Sequence, residues 1–184
     1  PVRNVVPFRN SAVRIINGDE ATKGQFPWQA AIFVSFPGES NVCGGAVINE
    51  EWILTAGHCV YGASSFRIDL GSTLLIGDDP DRMPFTTDQY ILHEEYNPST
   101  LANDVAVIRL PKLVTFNDYI KPIALASREL EAGITVTASG WGLTSDGGDA
   151  SDIGTDVKAV TLQAFRELRI TETGFEIKLA FKNE

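Results

Sequence analysis

From Gln29 to Leu110 the chain is divided into short runs of β character: Gln29–Val34, Val42–Ile48, Trp52–Ala56, Phe66–Gly71, Gln89–His93 and Asp104–Leu110. This feature constrains the fold more than any other. Within one run Phe66, Ile68 and Leu70 alternate with Arg67 and Asp69, the period of a strand with one buried and one wet face. The connections carry Pro37-Gly38, Asp79-Pro80 and Asn97-Pro98, dipeptides that set turns. No amphipathic helical stretch of comparable quality precedes residue 158. The pattern predicts a small all-β unit, an antiparallel barrel or sandwich.

A second block starts near Pro122. Ile134, Val136 and Ala138 alternate with small polar residues and end at Gly140-Trp141-Gly142, before a Gly/Asp/Ser-rich loop, Thr144–Thr155. The tail offers Val157–Ile170 and Phe175–Phe181, with Glu172-Thr173-Gly174 as a candidate hairpin turn. At the other end, Pro1–Arg14 holds Arg3, Arg9 and Arg14 and no acid, a flexible basic leader. The organisation expected is a leader (1–14), a first unit (15–122) and a second (123–184) whose tail diverges from about 157. A length of 184 residues suits one domain or two small ones.

A net charge of −9 makes nucleic acid or an anionic membrane an unfavourable partner. The longest apolar stretches, such as Ala30–Val34, are far too short to span a bilayer. The chain opens on Pro1 without an apolar signal core, the expectation for a processed or truncated product. Its 2 cysteines, Cys43 and Cys59, are either a pair of buried thiols or a single bridge of a secreted protein. They lack the paired spacing of a zinc site, and no metal is expected there.

Two segments carry candidate chemistry. Trp52-Ile53-Leu54-Thr55-Ala56-Gly57-His58-Cys59 is an apolar strand that delivers a histidine beside a cysteine. A bridge from that cysteine would add roughly 3 kcal/mol and would fix the backbone that a general base requires. Asn103-Asp104-Val105-Ala106-Val107-Ile108-Arg109-Leu110 sets a carboxylate at the mouth of another apolar strand. An acid so placed is expected to be buried and to need a partner, and an imidazole N–H is one that would also orient a base.

Together these segments resemble the chymotrypsin-like serine protease family. The resemblance runs through Arg14-Ile15-Ile16-Asn17-Gly18, Gly24-Gln25-Phe26-Pro27-Trp28-Gln29, Cys43-Gly44-Gly45, Thr55-Ala56-Gly57-His58-Cys59, Asn103-Asp104-Val105-Ala106 and Ser139-Gly140-Trp141-Gly142. It covers roughly residues 14–156 and is most similar to insect and crustacean digestive members. It implies a double antiparallel β-barrel, the first barrel complete and the second incomplete. It implies His58 as general base, Asp104 as its orienting carboxylate, a Cys43–Cys59 disulfide and secretion. Arg14–Ile15 would be the activation bond, cut by a trypsin-like protease. Substrates would be proteins or peptides, with no cofactor. Gly57 stands where the family usually has alanine, a departure worth about 1 kcal/mol of local backbone freedom.

The larger departure concerns the nucleophile, which the family carries in Gly-Asp-Ser-Gly-Gly. No such sequence occurs here. Past Trp141 only Ser145 and Ser151 remain, and Asp149-Ala150-Ser151-Asp152 lacks the glycine amide of an oxyanion hole. The expectation is a serine endopeptidase truncated before its nucleophile and inactive as given. The alternative is a non-catalytic homologue acting as a secreted binding or regulatory protein. His93 reads as structural, and Asp78, Asp79 and Asp81 as a solvated acidic loop without calcium.

Overall fold

The computed structural model describes residues 19–125, 135–141, 158–163, 168–171 and 174–177. The leader, the Arg14–Ile15 bond, Ser145 and Ser151 lie outside the described residues. Strands β1 (Asp19–Glu20), β2 (Gln29–Phe36), β3 (Glu39–Val47) and β4 (Trp52–Thr55) lead into a single helical turn, α1 (Gly57–Val60). Strands β5 (Ser65–Leu70), β6 (Met83–Thr87), β7 (Tyr90–Leu92) and β8 (Ala106–Arg109) follow. β9 (Thr135–Gly140), β10 (Lys158–Gln163), β11 (Leu168–Thr171) and β12 (Gly174–Ile177) come last.

The main sheet has 7 strands in the order β6-β5-β2-β3-β4-β8-β7, and every neighbouring pair is antiparallel. Its register stacks apolar residues on one face: Ile32 lies opposite Ile68, and Ile53 opposite Ile108. These four, with Phe66, are fully buried, and the Phe66 and Tyr90 rings meet edge to face at 5.5 Å. Burying an aliphatic or aromatic side chain of this size contributes about 1.5–3 kcal/mol. The chain is all-β, as expected, and the sheet bends around this core.

The runs read from the sequence correspond to β2, β3, β4, β5, β7 and β8, with ends displaced by up to three residues. β6 has no counterpart among them because Pro84 interrupts its pattern. Among the described residues only β5 pairs with β6, and an edge strand is where a proline that donates no hydrogen bond is tolerated. Asp69 also departs from the alternation. Its side chain is 3% exposed, because the segment after Gly71 returns over that face. Arg67 donates to Asp69 Oδ2 at 3.0 Å, and Arg82 lies 3.5 Å from the same oxygen.

The remaining strands form a 3-stranded sheet, β1-β10-β9, and the pair β11-β12. The register of the pair places Thr171 opposite Gly174, as the expected hairpin requires. β9 meets the first unit through its side chains. The Ser139 hydroxyl donates to Gln29 Oε1 at 2.7 Å, and beyond β9 Trp141 Nε1–H donates to the Thr73 carbonyl at 2.9 Å. Among the described residues no helix is long and apolar enough to cross a membrane.

Candidate active site

β4 ends at Thr55, whose buried hydroxyl donates to the Gly44 carbonyl on β3 at 2.8 Å. That bond ties the end of the strand down before the chain turns into α1. The turn carries His58 outward while Gly57, Cys59 and Val60 face in. The sequence reading missed this helix, since one turn is too short to show periodicity. Its foot is pinned covalently: Cys59 is disulfide-bonded to Cys43 on β3, so the two cysteines are a bridge and not a pair of free thiols.

Asp104 reaches the histidine from the opposite side. It precedes β8 in a tight turn in which Leu101 and Asn103 take left-handed φ values of 57° and 55°. Asparagine adopts that conformation more readily than other non-glycine residues, and Asn103 Nδ2 is held by the Glu95 carbonyl at 3.1 Å. The turn aims the carboxylate at α1. The His58 backbone N–H donates to Asp104 Oδ1 at 2.6 Å, and His58 Nδ1 lies 2.8 Å from Oδ2. An ionised carboxylate only accepts, so Nδ1 carries a proton, and in the neutral imidazole Nε2 is then the nitrogen with the lone pair. The Asp104 side chain is 22% exposed and that of His58 is 53% exposed. The acid is largely withdrawn from water while the imidazole edge meets it.

Both residues singled out from the sequence are therefore brought together, with Cys43 and Cys59 beside them. Two neighbours were not foreseen. Tyr96 packs against Tyr61 with ring centroids 5.6 Å apart and the planes tilted by 59°. Burial, and then the charge of Asp104, push the Tyr96 hydroxyl above its ordinary range. The aromatic residue three positions after His93 was the available signal. His93 Nδ1 accepts from the Glu95 amide at 3.1 Å, a local contact within the turn. The acidic loop is not freely solvated. The Asp79 side chain is 5% exposed, and the Lys23 ammonium pairs with both Asp79 and Asp81.

A curled antiparallel sheet that presents a histidine gripped by an aspartate beside a disulfide defines the class of chymotrypsin-fold serine proteases. The sequence model of the Trypsin family matches residues 15–174, and the chain belongs to that family. It is 39% identical over 132 residues to brachyurin of Leptuca pugilator, an alignment covering 72% of this chain and 57% of the relative. Trypsin-1 of Astacus astacus is 35% identical, with coverage of 76% and 61%. Collagenase of Hypoderma lineatum is 42% identical, with coverage of 70% and 50%. Among solved structures, HL collagenase superposes with a TM-score of 0.71 at 34% identity, covering 81% of this chain and 63% of that one. GrC, at 23% identity and a TM-score of 0.74, shares the fold. The chain thus spans between half and about two thirds of the length of these relatives.

Proposed function

We propose that this chain supplies the general base, His58, and its orienting carboxylate, Asp104, to a secreted serine endopeptidase acting on proteins or peptides. The observation that carries this reading is the double hydrogen bond of 2.6 and 2.8 Å from His58 to one carboxylate. In that arrangement Nε2 accepts the proton of an attacking hydroxyl as its oxygen bonds to the scissile carbonyl carbon, then returns it to the leaving amine. Asp104 holds the proton on Nδ1 and stabilises the transient imidazolium while remaining ionised. These roles are the ones the trypsin family assigns to its triad.

The nucleophile and the glycine amide of an oxyanion hole belong to a Gly-Asp-Ser-Gly-Gly segment, which these 184 residues do not contain. The chain by itself therefore does not hydrolyse peptides. Removing a triad nucleophile costs on the order of a millionfold in rate, and loss of an oxyanion donor removes about 3 kcal/mol more. Residues 15–122 are the unit that carries the base, and 123–184 begin a second barrel. Arg14–Ile15 is the bond at which a trypsin-like protease acts.

Incubation with a fluorophosphonate probe tests this directly, and the 184-residue chain is expected to stay unlabelled. Labelling at Ser145 or Ser151 would overturn the inactivity. When the chain is joined to a family segment bearing Gly-Asp-Ser-Gly-Gly, labelling and hydrolysis should appear and vanish again in His58→Ala. Hydrolysis unchanged by that substitution would remove His58 from the mechanism. The missing motif also favours a second reading, a secreted binding homologue without catalysis. Under that reading a partner should be captured equally well by the chain and by its Asp104→Ala variant.

A further inference from the structure

We propose that His93 is a positioning residue for Asp104: its unprotonated Nδ1 sets the turn that holds Asn103, and a proton on that nitrogen releases the aim of the carboxylate at His58. The value of this to catalysis rests on the reading of His58 as base, whereas the coupling itself is a property of the fold.

His93 holds both peptide units of the turn that follows it. Its carbonyl accepts from the Tyr96 amide at 3.0 Å, and its Nδ1 accepts from the Glu95 amide at 3.1 Å. An aspartate or asparagine opening a turn makes the same contact to the amide two residues on. Here an imidazole makes it, so Nδ1 keeps its lone pair and Nε2 carries the proton. The Glu95–Tyr96 peptide is thereby fixed at both ends. Its N–H is engaged by His93, and its C=O accepts from Asn103 Nδ2 at 3.1 Å. Asn103 is the residue with a φ of 55°, directly before Asp104. A non-glycine residue keeps that conformation where its surroundings determine it. The relay ends on the contacts of 2.6 and 2.8 Å between Asp104 and His58.

The same turn also reaches the site through its aromatic ring. A Cβ built on Gly57 would lie 3.1 Å from Tyr96 Cδ2 and 3.2 Å from Asp104 Oδ1, so ring and carboxylate sit side by side against the first residue of α1. A loosened turn therefore uncovers Asp104 as well as turning it. An amide or carboxylate acceptor at position 93 would persist in mild acid. Imidazole does not: a protonated Nδ1 becomes a donor and faces the Glu95 N–H with nothing to accept it. The titratable groups on this turn and on the segments beside it are Glu94, Glu95 and Tyr96, then Asp104 and His58. Protonation of His58 acts in the opposite sense, since an imidazolium grips Asp104 more tightly.

The test follows the His58 amide by NMR hydrogen exchange in the whole chain, with His93→Leu and His93→Asn beside the parent. Rates are referred to the unstructured value at each pH, and the Ile53 and Ile108 amides of the paired strands report that the core is intact. At neutral pH His93→Asn, whose Oδ1 takes the place of Nδ1, should match the parent, and His93→Leu should exchange about threefold or more faster. Acidification through the titration of His93, followed on its own ring protons, should bring the parent to the level of His93→Leu and leave His93→Asn protected. Equal protection in the parent and His93→Leu at neutral pH would overturn the proposal, as would an acid loss shared by His93→Asn. Asp104→Ala separates the two readings. If it alone speeds the exchange, only the role of His93 fails; if it too has no effect, the grip on the base fails with it.

Discussion

A Cβ built on Gly45 would sit 2.7 Å from Ile32 Cδ1, 2.9 Å from Ile53 Cγ2 and 2.9 Å from the Leu54 carbonyl oxygen. The carbonyl belongs to a paired strand and cannot retreat, so Gly45→Ala should cost about 1–3 kcal/mol through overpacking. At Gly44 the same atom meets only Gln29 Nε2 at 3.5 Å, and Gly44→Ala should stay within about 0.5 kcal/mol. Urea unfolding of the two variants checks the contrast. A second residue-scale expectation concerns Asp104. In Asp104→Ala the His58 amide loses its acceptor and should exchange its hydrogen at least about fivefold faster, the equivalent of about 1 kcal/mol. Unchanged exchange would mean that the grip does not persist in solution. At this scale the sequence was most informative where chemistry is written as a motif. His58 and Asp104 were legible because an apolar strand delivers each. Their two-point contact was not, since it depends on a left-handed Asn103 that no periodicity reveals. Asp69 was misread for a related reason: alternation describes a strand alone and knows nothing of a loop that covers its outer face.

Among elements, β5 holds the centre of the core and sits between β2 and the edge strand β6. Phe66 on β5 is fully buried against the edge of Tyr90. Phe66→Ala should therefore cost about 3–5 kcal/mol, whereas Thr86→Ala on the exposed face of β6 should change stability by less than about 0.5 kcal/mol. Unfolding midpoints in urea give both. A small effect at Phe66 would mean that the cavity collapses and that the sheet is less rigid than its register implies. Strands with a strong period were legible, and their ends moved by up to three residues. β6 was hidden by Pro84. β1 was hidden by its length of 2 residues, since its strand character exists only because β10 pairs with it. The helical turn α1 falls below the length at which a helix announces itself, although it carries the residue that matters most.

Across the whole molecule, a single lysine joins the segment after β1 to the loop between β5 and β6. Lys23 pairs with Asp79 and Asp81, and the hydrogen bonds it donates to these carboxylates raise its ammonium to about 12, from an ordinary 10.5. Asp79 responds in the opposite sense. Burial alone would raise its carboxyl, but the Lys23 ammonium, the Asp81 amide and the Ser72 hydroxyl outweigh burial and hold it below its ordinary 3.8. The two shifts fix where the link stabilises the fold. The contribution of Lys23 is complete below pH 10.5 and is lost as pH rises through about 12. That of Asp79 is complete above 3.8 and is lost as pH falls through its depressed folded value. Between those limits stability from this cluster should be flat with pH. Lys23→Met removes the cation that sustains both shifts. Its urea midpoint should lie below that of the parent chain at neutral pH, and the gap should narrow as pH falls below 3.8 and again as it rises from 10.5 towards about 12. Midpoints measured from pH 3 to 12 provide the check. A gap that stays constant across that range would show that Lys23 acts through its packing on the Tyr119 ring, 5.0 Å away, and that the charges on the loop do not contribute.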